Sequence, residues 1–254
     1  MARSSSGESV IERVVRIFDA FDPETERLSV GDLARRADLP GSTASRLIDQ
    51  LVGHGLLHRD AEGLVGMGVR MWELASRASP TRGLREAALP FLEDIHAVVG
   101  HHAQLGVLDG TEVLFLERLS APEAVVNLTF VAGRLPTHAS SSGLVLLAHA
   151  PPALQERVLT RRLHRYTDAT PVDPQALRRL LADVRRTGQV HTPGFVHPDA
   201  AGLAVPVRDH KDSVVAAVSV VVPNDASAVQ ALPMLHAAAR GIGRALRVGR
   251  QGAG

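Results

Sequence analysis

The chain has no cysteine. That removes disulfides, thiolate zinc sites and cysteine nucleophiles together, and it fits a reducing compartment, so a cytoplasmic location is expected. Lysine occurs once, at Lys211, and arginine carries nearly all the positive charge. There is no run of about 18 apolar residues, so no membrane span is expected. The opening MARSSSGES has no apolar core of a secretory signal and reads as a frayed tail. The formal net charge of +1 selects no partner by itself. What is present is apolar content, 45% of 254 residues, enough for one large core or two smaller ones.

The first 75 residues read as short helices followed by a hairpin. SVIERVVRIFDAF places Val10, Ile11, Val14, Val15, Phe18 and Phe21 on one helical face, and Asp22-Pro23 stops it. Ser29 is a good N-cap for VGDLARRADL, where Val30, Leu33, Ala34 and Ala37 line up. LPG at 39–41 turns the chain. In STASRLIDQL, Ala44, Leu47, Ile48 and Leu51 form a buried stripe, leaving Ser42, Thr43, Ser45, Arg46, Asp49 and Gln50 outward. LLHRDAEGLVGMG then alternates as two short strands around Ala61–Gly63.

Three helices with a tight turn before the third, then a hairpin, make a winged helix-turn-helix. The third helix is short-chained and polar near its N-terminus, as entry into the major groove requires. Arg46 can reach a guanine edge or a phosphate, and Ser42, Thr43, Ser45 and Gln50 face the same way. His58 and Arg59 sit on the wing, within reach of backbone or minor groove. Against this, residues 1–75 hold 9 arginines and 12 carboxylates, a net of −3. A nucleic-acid domain is usually basic. Binding therefore needs a local arginine face and a dimer that doubles the contacts, and a pure interaction module with a degenerate wing stays open.

The rest alternates. Residues 73–100 read as helix, with a linker at 76–83, a stop at Pro80, and Pro90 kinking the second segment or marking its start. Its apolar set is Leu84, Ala88, Phe91, Leu92, Ile95 and Val99. AQLGVLDGTEVLFLERL is a hairpin around Asp109-Gly110. AVVNLTFVAG reads as another strand. SSSGLVLLAHA is helical, two helices follow near 151–163 and 173–187, LAVPVRD and SVVAAVSVVVP are strands, and ALPMLHAAARGIGRALRVG closes the chain as a helix. This is an α+β domain with an antiparallel sheet covered on one face. The domains are read as 1–75, a 76–83 linker, and 84–250.

THASSSG at 137–143 poses the functional question, because His138 stands beside Ser140, Ser141 and Ser142. A nucleophilic serine sits on a G-x-S-x-G turn with a base and an orienting acid. No glycine precedes these serines at that spacing, and no acid can be named. The alternative is a pocket floor: small residues opening a helix expose free N–H groups that hold an anion or carbonyl oxygen, with Ser140 as cap. No catalytic residue is assigned. His101, His102, His138, His191 and His197 could converge on a metal, but adjacent strand residues face opposite ways and no HExxH occurs. Neither metal nor cofactor is expected. Trp72, the single tryptophan, is expected to pack between wing and linker helix.

Several separated segments also match a known pattern. RADLPGSTASRLIDQLVGHGLLHRD, LREAALPFLEDI, GVLDGTEVLFLERL, GRLPTHASSSG, DPQALRRLLADVRRTG and LAVPVRDHKDSVVAAVSVVVP occur in order. Over about residues 9–248 the chain resembles the IclR family of bacterial transcriptional regulators. The resemblance implies a winged-helix DNA-binding domain and a GAF-like α/β effector domain that binds a small molecule. It implies dimers, or pairs of dimers, on double-stranded operator DNA, with repression as the expected sign.

The same resemblance implies that Ser141 and Ser142 offer backbone amides to a ligand. Leu203 matches a position that is often cysteine, and Ser219 and Val221 match a Ser-x-Ser pair. Here Val221 replaces the second serine, Leu144 stands where a lysine usually follows the loop glycine, and HTPGFVHPDAAG differs from the family's acidic version. These departures point to a more apolar ligand than a small oxoacid, such as an aromatic acid, a lactone or a secondary metabolite. Phe115, Leu128, Phe130 and Phe195 are expected to line its pocket together with His138 and the serines.

Overall fold

The computed structural model describes residues 8–22, 25–77 and 81–251, so Pro23 and Pro80 lie outside the described residues. The chain divides into two compact units, one up to residue 80 and one from residue 81.

The first unit is built on three helices, α1 (Val10–Asp19), α2 (Val30–Arg36) and α3 (Gly41–Gly53). Ser9 and Glu12 form a reciprocal capping box on α1, an arrangement worth about 1 kcal/mol. Ser29 caps α2 by accepting from the Asp32 N–H at 3.0 Å. Between α2 and α3 the chain reverses through Asp38, whose φ is +51°; aspartate tolerates this left-handed turn better than most residues. Ala44, Leu47, Ile48 and Leu51 are buried as their spacing requires. The α1 stripe is rotated from expectation. Ile17 is its buried residue, flanked by half-buried Val14, Phe18 and Phe21, while Val10, Ile11 and Val15 are exposed. The apolar face of α1 is wider than the core it meets, and the i, i+3, i+4, i+7 set is 14, 17, 18 and 21.

The wing is a three-stranded antiparallel sheet in the order β1 (Arg27–Leu28), β3 (Val65–Met67), β2 (Leu57–Arg59). Strand β1 was not legible, since two residues carry no period. Helix α4 (Val69–Arg77) follows, with Trp72 exposed rather than packed.

The second unit is a six-stranded antiparallel sheet in the order β6 (Arg134–Pro136), β5 (Glu112–Ser120), β4 (His102–Asp109), β9 (Val214–Pro223), β8 (Ala200–Arg208), β7 (Val190–Pro193). Both faces are covered, not one. Helices α5 (Arg82–Val99) and α9 (Leu232–Gln251) pack on one face around Leu92, Ile95, Leu203, Val205, Val218 and Leu235. Helices α6 (Ser141–Ala148), α7 (Pro152–Leu159) and α8 (Pro174–Thr187) cover part of the other around Val113, Leu144, Leu147, Leu177 and Ala217. The strands are apolar on successive residues because they are buried on both sides. Helix α5 runs through Pro90, which is solvent-exposed, so the carbonyl it leaves unbonded can take water.

The expected strand over 124–133 is not formed. Those residues are a loop that crosses the sheet face opposite α5 and α9. Strand β6 pairs with Glu112–Leu114 of β5, Ala132 and Gly133 add backbone bonds to Phe115, and before them side chains replace the ladder. His102 Nε2 bonds the Val125 carbonyl at 2.7 Å, and Gln104 Nε2 and Arg118 Nη1 bond the Thr129 hydroxyl and carbonyl.

Candidate functional site

In the first unit, α3 presents Ser42, Arg46, Asp49 and Gln50 to solvent, with Thr43 and Ser45 half-buried. His58 and Arg59 are exposed on β2. Arg59 reaches back to α3 and pairs with Asp49 at 2.8 Å, which ties the wing to the helix. Several arginines of the unit are paired internally, which leaves its net charge unchanged. Arg16, Arg27 and Arg36 pair with Glu8, Asp60 and Asp22 at 2.9, 3.1 and 2.6 Å. Among the described residues Arg46 makes no ion pair, so its guanidinium is available on the helix face that a major groove would receive.

In the second unit, the loop after β5 and the N-terminus of α6 frame a small cavity of about 50 Å³ over the sheet. Its floor is Gln104, Gly202 and Val221, from β4, β8 and β9. Its apolar walls are Phe115, Val126, Leu128, Leu135 and Val196. Ser140, Ser141 and Ser142 open α6 onto it. Ser140 Oγ accepts from the Gly143 N–H at 3.1 Å, and the Ser141 and Ser142 N–H groups have no acceptor within the helix, as the first turn requires. Ser142 Oγ donates to Ser219 Oγ at 2.8 Å, both buried. Among the described residues no Asp, Glu, Lys or Arg lines the cavity. Such a site holds an anionic or carbonyl oxygen at the helix end and an apolar body along the walls.

Glycine makes the close approach possible. A Cβ on Gly143 would lie 2.5 Å from the Thr137 Cα and carbonyl, and one on Gly202 would lie 2.8 Å from Ser141 Oγ.

His138 stands elsewhere. It is buried, and its Nε2 donates to the His164 carbonyl at 2.8 Å. Burial pushes its imidazole below the ordinary histidine value, and the His164 carbonyl pulls it partly back. It borders a separate recess with Thr111, Arg161 and Arg162. Among the described residues no histidine nitrogen bonds Ser140, Ser141 or Ser142, so no base is poised on a serine. Nor do the histidines converge: no group of three His, Cys, Asp or Glu is placed to hold a metal among the described residues.

The chain matches two family descriptions. Residues 10–61 match the IclR helix-turn-helix domain, and residues 77–246 match the bacterial transcriptional regulator IclR C-terminal domain. The chain belongs to the IclR family of bacterial transcriptional regulators. Among relatives, it is 31% identical to the HTH-type transcriptional regulator BhcR of Paracoccus denitrificans, over 86% of this chain and 79% of that one. It is 26% identical to the HTH-type transcriptional repressor AllR of Escherichia coli K12, over 87% and 82%. Among solved structures, an IclR homologue from Microbacterium hydrocarbonoxydans complexed with 4-hydroxybenzoate is 48% identical. It covers 94% of this chain and 100% of its own, with a TM-score of 0.91. Among the described residues no helix is long and apolar enough to cross a membrane.

Of the residues that the IclR resemblance and the sequence pattern place at the effector site, Phe115, Leu128, Ser140, Ser141, Ser142 and Val221 line the cavity. Ser219 supports it through Ser142. Four stand elsewhere. Leu203 lies on the opposite sheet face, in the core under α5 and α9; strand alternation gives the cavity its neighbour Gly202 instead. Phe195 packs into the core beneath α6 and α8. Phe130 is exposed on the loop and does not line the cavity. His138 lies in the recess described above. Gln104, Asn127, Thr129, Thr192 and His197 line the cavity and were missed, because they meet only after the loop folds over β4.

Proposed function

We propose that this protein is an effector-responsive repressor whose C-terminal cavity takes a small aromatic carboxylate. The observation that carries the reading is the cavity itself. Two helix-end N–H groups open onto a space lined by Phe115, Leu128, Leu135 and Val221 and, among the described residues, by no Asp, Glu, Lys or Arg. The 4-hydroxybenzoate held by the 48% identical Microbacterium relative supports it. An anion is met by backbone dipoles and an aromatic ring by apolar walls, which suits this ligand class better than a small, highly charged oxoacid. The cavity binds and does not hydrolyse, because among the described residues no histidine nitrogen bonds Ser140, Ser141 or Ser142 and the Ser142 hydroxyl donates to Ser219.

The repressor works in the cytoplasm as a dimer or a pair of dimers. Residues 1–75 contact the operator through Ser42, Thr43, Ser45, Arg46, Gln50, His58 and Arg59, and residues 84–250 bind effector and assemble the oligomer. The 76–83 stretch sets the spacing of two winged helices against their half-sites. The effector favours one quaternary arrangement over another, without which it could not alter DNA affinity. Coupling of about 1–3 kcal/mol changes operator affinity by roughly 5- to 150-fold.

The test is fluorescence anisotropy of the full chain on a labelled DNA fragment from upstream of its own gene. Binding that resists competitor DNA, falls steeply with salt, and is released by 4-hydroxybenzoate is the expected result. Release by a small oxoacid and not by any benzoate would overturn the ligand class.

A further inference from the structure

Resting on the aromatic-carboxylate reading, one residue of the cavity carries a further consequence. Asn127, on the loop between β5 and β6, has a side-chain Nδ2 that is buried and has no hydrogen-bond partner. Its Oδ1 is fully engaged: it accepts from the Thr129 backbone N–H at 3.0 Å and from the Thr129 hydroxyl at 2.9 Å. A backbone N–H can only donate, so the amide cannot be turned the other way. The Thr129 hydroxyl in turn accepts from Gln104 Nε2, and the Thr129 carbonyl accepts from Arg118 Nη1. The side chain is therefore held rigidly from the sheet, with both N–H bonds of its amide left over.

Asn127 belongs to the cavity lining, as do Gln104 and Thr129. It stands on the β4 side, above Gln104. The α6 N-terminus stands over the same sheet face, with Ser141 against Gly202 of β8 and Ser142 against Gly106 of β4. A buried amide donor without a partner is costly, and one fixed by two bonds from Thr129, itself held by Gln104 and Arg118, is prepared for an acceptor that arrives with the ligand.

We propose that Asn127 is a specificity-determining residue that donates to an acceptor oxygen the aromatic ring carries besides its carboxylate. The ligand class is thereby narrowed to benzoates with a further oxygen acceptor on the ring. Unsubstituted benzoate leaves Nδ2 buried and unpaired, and it binds more weakly for that reason.

Calorimetric titration of the full-length protein with benzoate, 4-hydroxybenzoate and 4-formylbenzoate tests this. In the wild type both substituted acids bind at least about tenfold tighter than benzoate. In Asn127→Ala the three converge. Asn127→Asp keeps an oxygen toward Thr129 and replaces only the free donor, so it preserves the loop anchor. There 4-formylbenzoate, an acceptor only, falls to the level of benzoate or below, while 4-hydroxybenzoate, which can donate its proton, keeps its advantage. All three ligands carry one carboxylate, so the added charge cancels in the ratios. An unchanged preference in both variants overturns the assignment of Asn127 and leaves the aromatic-acid reading standing. Failure of all three acids to bind the wild type overturns that reading and this inference with it.

Discussion

Ser142 and Ser219, 77 residues apart in the chain, share a buried hydrogen bond of 2.8 Å between their hydroxyls. The contact joins the first turn of α6 to the centre of β9, so it fixes the helix end over the sheet where the cavity lies. Ser142 is the donor, and neither hydroxyl can turn to water. Ser219→Ala leaves the Ser142 hydroxyl buried without an acceptor and should cost about 1–3 kcal/mol. Ser142→Ala should cost a similar amount, and the double variant less than the sum of the two. Denaturant melts of the four proteins measure the coupling. Additive losses would show that the bond contributes nothing to holding α6.

Gly202 and Gly143 differ in what a methyl group would strike. At Gly202 it meets Thr192 Oγ1 at 2.7 Å and Ser141 Oγ at 2.8 Å, both ends of small side chains. At Gly143 it meets the Thr137 backbone at 2.5 Å. Gly202→Ala is therefore expected to fold, with a melting temperature within a few degrees of wild type, while pushing Ser141 into the cavity and weakening benzoate binding by tenfold or more. Gly143→Ala must move backbone and should lower the melting temperature far more. Melting curves with titration calorimetry on both variants separate the effects. Unchanged affinity in Gly202→Ala would remove Ser141 from the cavity's working lining.

Much of this architecture could be read from spacing, and the misses share a cause. The α3 stripe of Ala44, Leu47, Ile48 and Leu51 is buried as its period demands, because a helix with one narrow apolar face has one way to pack. Helix α1 has a broad face, and nothing local tells which edge meets the core; Ile17 does, and Ile11 does not. The 124–133 segment alternates like a strand because Val126 and Leu128 cover a cavity, not because it pairs. Leu203 was placed by motif position, yet a shift of one residue on a strand changes face, and Gly202 is the neighbour that lines the cavity. Asn127 carried no signal, since its orphaned donor exists only after Thr129 and Gln104 have fixed it.

On the DNA side, Arg46 is exposed on α3 and makes no ion pair among the described residues. Its removal should leave folding unchanged and reduce operator affinity by about 1–3 kcal/mol if it reads a base edge, more in a dimer that uses it twice. Affinity for 4-hydroxybenzoate should be unaltered in Arg46→Ala. Anisotropy with DNA and calorimetry with ligand make the comparison. Equal loss of both activities would mean the variant acts through stability and not through the interface.

The loop that carries Asn127 should also respond to pH. His102 is buried on β4 with its Nε2–H donated to the Val125 carbonyl and its Nδ1 2.9 Å from Ser120 Oγ, which itself accepts from Arg118 Nε at 2.8 Å. Burial pushes this imidazole below the ordinary histidine value. The Val125 carbonyl pulls it back, and Arg118, His101 and His96 push it further down. The folded protein therefore holds His102 neutral where the unfolded chain, with a pKa of about 6.5, takes up a proton. Its contribution to stability is complete above that value and is lost as pH falls through it toward the lowered folded value. Burial lowers His138, His191 and His236 as well, and they add in the same direction. The second unit should melt at a lower temperature at about pH 5.5 than at about pH 7.5, and benzoate affinity should fall with it as a proton on Nδ1 disturbs the Ser120–Arg118 bond. His102→Gln cannot titrate and should show a smaller pH dependence of both melting and affinity. A full wild-type pH dependence in that variant would move the effect to His138, His191 and His236 and away from the loop anchor.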